Sequence, residues 1–296
     1  MATSVATAAE IYSDQVIKEL QKVLAKLRAF SLNLTSEFKA TGETVKVPLT
    51  GPDTVGTWDA TSNNFKRSGA TLKEVSLRLN DKLITGFAIT PAQLKQFKPN
   101  WWKSKAENNV PEIVDTILTG IAGIVTDAKY GSTANDRINV ALGEFGIKSL
   151  APLRAQMVKQ KDLKPARSCL VLSPDYYSAL LGDMPGQFWV SEETIASGVV
   201  PGLLGFRAIV ELPQLTTPGF VCHPDAIAVG SAIEELPSAK PYDLVEVIEE
   251  PETGLSLQHV IYTDGSDGSM SDSINGVVGY GVGNSSALIR LVEAKA

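Results

Sequence analysis

The sequence predicts an α+β protein in which one long amphipathic helix lies on a β-rich body. Three observations carry this. Apolar residues recur at helical spacing from Val110 to Tyr130, and period-two strands fill the C-terminal stretch. Between them, short helices and short strands alternate without an internal repeat. The 296 residues are 44% hydrophobic and 20% charged, a balance that supplies a core and rules out a wholly disordered chain.

A helix is expected from Ile11 to Phe30. Val16, Leu20, Val23, Leu27 and Phe30 recur at gaps of four and three, with Lys18, Glu19, Lys22 and Lys26 on the other face. Such a stripe suits the parent core, although its terminal position leaves a partner open. Thr44 to Leu49 then alternates as a strand that Pro48 should stop, because proline donates nothing to a ladder. Residues 50 to 70 are polar and rich in Gly, Ser, Thr and Asn, and a strand resumes from Thr71 to Leu79. The result is a long hairpin with about twenty polar residues at its tip, a length that a compact enzyme rarely carries unless it binds something.

Thr90 and Pro91 open a short helix as N-cap and first helical residue. In the helix from Val110 to Tyr130, Val110, Ile113, Val114, Ile117, Leu118, Ile121, Ile124, Val125 and Ala128 share one face. Pro111, Glu112 and Asp115 suit its first turn, Lys129 and Gly131 its end, and its length is on the order of 30 Å. Further on come a helix from Leu150 to Gln160, a buried strand from Ser168 to Leu172 and a helix capped by Ser173. Strands follow from Phe206 to Val210 and from Gly219 to Cys222. The closing stretch reads as strands Leu244 to Ile248, Leu255 to Tyr262, Gly276 to Val282 and Ala287 to Val292, with a polar loop from Asp264 to Asp272.

The net charge of −6 opposes tight, specific nucleic-acid binding. The densest basic stretches, Lys18 to Arg28 and Arg154 to Arg167, read as a solvated helix face and as a helix end followed by a turn at Pro165. Cys169 and Cys222 lie in apolar β-like runs and are expected to be buried, reduced thiols. The N-terminal residues lack the basic and apolar pattern of a signal peptide, and no window has the ~18 uninterrupted apolar residues of a membrane span.

Catalytic signatures are not found. The two histidines, His223 and His259, each sit beside apolar strand residues and have no metal-ligand spacing around them. No Gly-x-Ser-x-Gly elbow or phosphate-binding Gly-x-x-x-x-Gly-Lys loop occurs. Gly279 to Gly283 is glycine-rich but no helix follows it, so it reads as a twisted strand. Asp264, Asp267 and Asp272 could suggest calcium, yet the closing Glu of an EF-hand is missing, and a solvated hairpin tip is the simpler reading.

The order of elements resembles the major capsid proteins of tailed bacteriophages, whose fold encapsulin shells share. Gly42 to Pro48 looks like the family's entry into its extended loop; Leu77 to Lys82 and Ile84 to Thr90 look like its return. Val110 to Tyr130 looks like the long spine helix. Gly202 to Val210, followed by Phe220 to Ala228, is similar to the axial-domain signature, and Gly276 to Glu293 to the last strands of the peripheral domain. The resemblance implies an N-terminal arm and the start of the peripheral domain in 1–45, and an extended β-hairpin loop in 46–89. The spine-helix region of the peripheral domain would follow in 90–135, an axial domain in 136–240 and C-terminal peripheral strands in 241–296.

It further implies a structural, non-enzymatic protein that assembles into hexamers and pentamers of an icosahedral shell around double-stranded DNA, within a virion built in the host cytoplasm. A separate scaffolding protein and a portal would be partners, DNA would be contacted non-specifically, and no membrane, cofactor or metal is implied. Candidate subunit contacts are Trp58, Phe65, Lys66, Arg67 and Lys73 in the loop, and Asp264, Asp267 and Asp272 near the C-terminus. Some family members cross-link a loop lysine to a neighbour's asparagine; Lys66 and Lys73 lie in the loop, but no local pattern marks a partner, so that chemistry is not carried over. Met1 followed by Ala2 looks like a natural start, which favours the separate scaffold over a cleaved leader. Two alternatives stand: an encapsulin-like compartment holding a cargo enzyme, and a monomeric α+β enzyme.

Overall fold

The structure is a computed structural model that describes residues 5–33, 44–50, 58–59, 61, 64–65, 72–79, 81–94, 99–131, 136–159, 163–183, 198–201, 205–234, 236, 242–250 and 254–294. Helix α1 (Val5–Phe30) starts before the expected Ile11. Its buried side chains, Tyr12, Val16, Leu20, Leu24, Leu27 and Phe30, recur every three or four residues and face the core of the same chain. After α2 (Pro91–Leu94), helix α3 (Pro99–Ile124) lies along α1. Thr90 caps α2 reciprocally with Gln93: the Gln93 amide donates to the Thr90 hydroxyl at 3.4 Å and the Thr90 amide to Gln93 Oε1 at 3.1 Å.

Helix α3 differs from the expectation at both ends. It begins at Pro99, so Pro111 lies inside it and not in its first turn. Proline withholds the hydrogen bond to the Glu107 carbonyl, which argues for a start there. The helix runs through because Trp102, Ala106 and Val110 carry the buried stripe back across that point. At the other end Thr126 is extended (φ −117°, ψ 165°), and a separate turn, α4 (Asp127–Tyr130), follows.

The strands are β1 (Leu32–Asn33), β2 (Thr44–Thr50), β3 (Trp58–Asp59), β4 (Asn64–Phe65), β5 (Leu72–Arg78), β6 (Asp81–Ile89), β7 (Arg137–Val140), β8 (Cys169–Leu172), β9 (Val199–Pro201), β10 (Ala208–Glu211), β11 (Gly219–Cys222), β12 (Ile227–Ala232), β13 (Leu244–Glu249), β14 (Ser256–Thr263), β15 (Met270–Val282) and β16 (Leu288–Glu293). Helices α5 (Ile147–Lys159) and α6 (Pro174–Gly182) lie between β7 and β9. The expected gap before Gly276 is closed, because β15 is one strand from Met270 onward.

One sheet is organised by β15. Strand β6 pairs along one edge, from Met270↔Ile89 to Val278↔Asp81. The other edge is shared end to end: β14 pairs with residues 270–275 and β12 with residues 277–282. Strand β13 lies beyond β14, and β1 beyond β12. The second sheet runs β7-β16-β11-β8-β10-β9. Its strands alternate between two cores. Cys169, Val171, Phe220 and Cys222 face α1 and α3, whereas Leu170, Leu172, Val221 and Ile289 face α5 and α6.

Two sheet memberships differ from the sequence grouping. The closing strand β16 pairs with β7 and β11, and β12 pairs with β15. After passing from the first sheet to the second between β6 and β7, the chain changes sheets twice more, between β11 and β12 and between β15 and β16. The two crossings bond to each other: Gly283 N donates to Ala226 O and Asn284 N to Asp225 O, each at 2.8 Å, and His223 N donates to Ala287 O at 2.9 Å. Beside them, a hydrogen bond from His223 holds the Asp225 carboxyl below its usual range.

Cys169 and Cys222 face each other across β8 and β11, both fully buried and unbridged. Their thiols donate to the last carbonyls of α1, Cys169 to Ala29 at 2.7 Å and Cys222 to Phe30 at 3.5 Å, groups that a helix end leaves without partners. Among the described residues no helix is long and apolar enough to cross a membrane.

Two outcomes follow. A Cβ on Gly120 would lie 2.2 Å from the Tyr280 ring, whereas one on Gly123 meets nothing within 4 Å. Gly120→Ala should therefore cost about 1–3 kcal/mol in urea unfolding, and Gly123→Ala should gain up to about 1 kcal/mol. Burial pushes the Cys169 thiol up to about 11 and Cys222 well above its ordinary value. The folded chain should thus resist alkylation near pH ~8 and take two labels once unfolded in urea. The same shift should lower stability as pH rises past about 8.5, where the unfolded thiols ionise first.

Candidate assembly surfaces and a buried polar network

The hairpin of β2 and β5 is registered from Thr44↔Arg78 to Thr50↔Leu72. Pro48 lies inside β2, opposite Glu74, and does not end the strand. A two-stranded ribbon leaves outward-facing amide positions at which a proline costs no ladder bond. At the root, Val75 and Leu77 are buried against Ala228 and Leu32. The β15 glycines make this approach possible: a Cβ on Gly279 would lie 2.5 Å from Arg78 O, and one on Gly281 3.1 Å from Leu77 Cδ1. The twisted, glycine-rich strand is the bed for β5.

Away from the root the hairpin is solvent-facing. Lys46 and Glu74 form an ion pair at 3.9 Å with both side chains about two-thirds exposed, at 66% and 64%. Trp58 in β3, opposite Phe65 in β4, is 52% exposed. Lys73 lies in β5 opposite Leu49; its side chain and that of Phe65 fall outside the described residues, as do Lys66 and Arg67 entirely. The other exposed large apolar side chains among the described residues are Ile84, Leu142, Val158, Val245 and Val247.

The three aspartates do not act together. Asp264 Oδ1 accepts from the Ser266 amide and hydroxyl at 2.8 and 2.7 Å, and Asp267 Oδ1 accepts from the Ser269 amide at 2.7 Å. The Ser269 hydrogen bonds hold the Asp267 carboxyl below its usual range. Asp272 corrects the sequence reading. It is not at a solvated tip but inside β15, 1% exposed, and alternates with Met270 and Ile274 on the inward face.

Asp272 belongs to a buried network that the sequence reading missed. Its Oδ1 lies 2.9 Å from His259 Nε2 on β14, and His259 Nδ1 lies 2.9 Å from Ser13 Oγ on α1. Ser13 Oγ donates to Glu246 Oε2 on β13 at 2.8 Å. Ser, His and Asp in hydrogen-bonded series invite comparison with a nucleophilic triad. The donor arithmetic points elsewhere. Ser13 has one hydroxyl proton and gives it to Glu246, so that proton is not aimed at His259. A serine whose proton is held by Glu246 is not set up to pass it to the ring, and Ser13 itself is 4% exposed. Tyr12 seals the site, its ring 5.1 Å from His259 and 6.5 Å from Trp102. The same burial pushes the Tyr12 hydroxyl well above its ordinary range. The network ties α1 to three strands of the first sheet. Among the described residues, no group of three or more His, Cys, Asp or Glu side chains is placed to hold a metal.

An N-terminal helix on a spine helix, a hairpin rooted on the sheet and an α+β unit entered and left through shared crossings make up the phage major capsid fold. No family model matches the sequence, and no curated protein does. Solved structures match over most of the chain. The capsid of the cyanophage P-SCSP1u is 14% identical, with a TM-score of 0.57 over 90% of this chain and 87% of that one. The capsid of a native GTA particle is 13% identical, with a TM-score of 0.57 over 93% and 90%. A virus-like particle from Pyrococcus furiosus is 10% identical, with a TM-score of 0.53 over 96% and 98%. At these identities the likeness is one of fold.

Asp272→Ala leaves His259 Nε2 buried without its partner and should cost about 1–3 kcal/mol in urea unfolding. Ser13→Ala, which removes one hydroxyl, should cost about 1–3 kcal/mol. The folded chain should take no label on Ser13 from a serine-directed fluorophosphonate; stoichiometric labelling would restore the nucleophile reading.

Proposed function

We propose that this chain is the structural, non-enzymatic subunit of an icosahedral shell, assembling from its own copies as hexamers and pentamers around double-stranded DNA. The observation that carries the reading is the capsid fold, matched along most of both chains by the cyanophage and GTA capsids. The hairpin supports it physically. Its root is built into the subunit, whereas Trp58 stands half-exposed on a two-residue strand, so a neighbouring copy is the natural cover for its outer part. Many moderate contacts repeated by symmetry then close the shell.

In this reading residues 1–45, 90–135 and 241–296 form the peripheral domain, 46–89 the extended loop and 136–240 the axial domain, except that β12 joins the peripheral sheet and β16 the axial one. The hairpin residues Phe65, Lys66, Arg67 and Lys73 and the turn residues Asp264 and Asp267 are contacts between copies. A separate scaffolding protein and a portal take part in assembly, DNA is contacted without sequence preference, and the product is a virion capsid built in the host cytoplasm. The second reading is an encapsulin-like compartment, favoured by the nearly end-to-end match with the Pyrococcus furiosus particle.

Electron microscopy of the expressed chain tests the proposal. Uniform closed particles, or rings of five or six, are expected; a chain that stays monomeric at all concentrations overturns it. Nucleic acid inside purified particles selects the capsid, and a co-purifying protein selects the compartment. Deleting Gly51 to Gly69 should leave a folded subunit that forms no stable shell, because the tip is polar and adds little to the core. Loss of the folded subunit itself would instead make that segment part of the core.

A further inference from the structure

Helix α5 carries two apolar faces, one buried and a second covered only at Ile147, which packs on the same core. Leu150, Leu153 and Met157 are buried in the core shared with α6 and the second sheet. Ile147, Ala151, Ala155 and Val158 form a second stripe at spacings of four, four and three. Ile147 is half-buried, Ala151 and Ala155 are exposed, and Val158 is 66% exposed. The stripe lines a groove of about 730 Å³, with Lys148, Arg154 and Lys159 along it.

The helix itself carries charge of one sign, although Glu144 precedes it and the Asp183 carboxylate accepts from the Ile147 amide at its start. From Phe145 to Lys161 the sequence has four basic residues and no acid, in a chain of net charge −6. Among the described residues Lys148, Arg154 and Lys159 have no ion-pair partner. Arg154 reaches over the turn at Gly205, next to the exposed Arg207, whose amide donates to Ser168 O beside the exposed Arg167. The field therefore continues past the helix end.

We propose that this face of α5 docks a second copy of the chain, head to tail, within a ring. The proposal rests on the shell reading and names one of its contacts. Charge complementarity selects the occupant, since the basic rim fits an acidic surface and a second copy is acidic overall. Helix α6, in the same outer layer, carries the exposed Asp175 and no base, so the layer has a basic and an acidic side. Unlike surfaces meeting head to tail generate rings. The apolar stripe decides against nucleic acid, because a phosphate backbone is gripped through charge and hydrogen bonds and would leave Val158 uncovered.

The test compares the full chain with Val158→Glu and with the double variant Lys148→Glu/Lys159→Glu. Melting temperature, sedimentation, particle yield by electron microscopy and nucleic-acid content are read for each. Both variants should melt like the parent, because the altered side chains face solvent. Val158→Glu should lower ring and particle yield at least ~10-fold, and the double variant should do so with the larger loss at low salt. Parent-like assembly by Val158→Glu overturns this contact alone. So does normal particle yield with reduced nucleic-acid content, which would make the face a nucleic-acid surface. A parent chain that never assembles overturns the shell reading as well.

Discussion

The paired crossings between the sheets, β11 to β12 and β15 to β16, are the constraint on which the fold depends. Residues 223–226 and 283–287 run side by side and bond through their backbones, which fixes where each sheet begins relative to the other. Gly283 has no room for a side chain, since a Cβ there would lie 2.0 Å from Asp225 O. The Tyr130 hydroxyl donates to Ala226 O at 2.6 Å, which ties the turn after the spine helix to the same seam. Strands β12 and β16 then carry the chain into opposite sheets. A core that includes residues of α1, α3 and both sheets is the packing consequence. The subunit folds as one body although its proposed domains are drawn as separate segments.

From that seam outward, satisfied interior gives way to uncommitted surface. Ser13, His259, Asp272 and Glu246 are used up in holding α1 to the sheet, and Cys169 and Cys222 in capping its last turn. The groups best suited to chemistry are thus spent on structure. The exposed large apolar side chains among the described residues lie elsewhere, on β3, β6, α5 and β13 and at Leu142 in the turn before α5. Polar and thiol groups inside, exposed apolar side chains outside: among the described residues that division agrees with the proposed cover by other copies.

Much of this was legible in the sequence. The stripes of α1 and α3, the hairpin with its polar tip and the inward thiols follow from periodicity and composition. The start of α3 was hidden because Lys103 to Asn109 is polar and Pro111 mimics a first turn, while Trp102 and Ala106 supply too sparse a stripe to outweigh them. Asp272 was placed in a loop because its neighbours are Ser, Asp and Gly. The signal that could have corrected it is alternation: Met270, Asp272 and Ile274 point inward together, as do Leu257, His259 and Ile261. Their meeting depends on the β14–β15 register, and that of Ser13 on tertiary packing, neither of which local pattern encodes. The sheet exchange of β12 and β16 was invisible for the same reason. The stripe on α5 was masked by the buried stripe beside it.

The course of β5 and β6 has a mechanical consequence. Ser76 and Leu77 lie against Gly281, Arg78 lies against Gly279, and Asp81 pairs with Val278. The inner strand of the hairpin therefore continues into β6 along β15, stepping from its face to its edge. A pull along the hairpin is carried into the nine registered pairs of β6 and β15. Their hydrogen bonds lie across the strands and would be loaded side by side, not peeled one after another. The arm is anchored like a rope spliced along a beam, so a load on it is spread along the whole edge of the sheet.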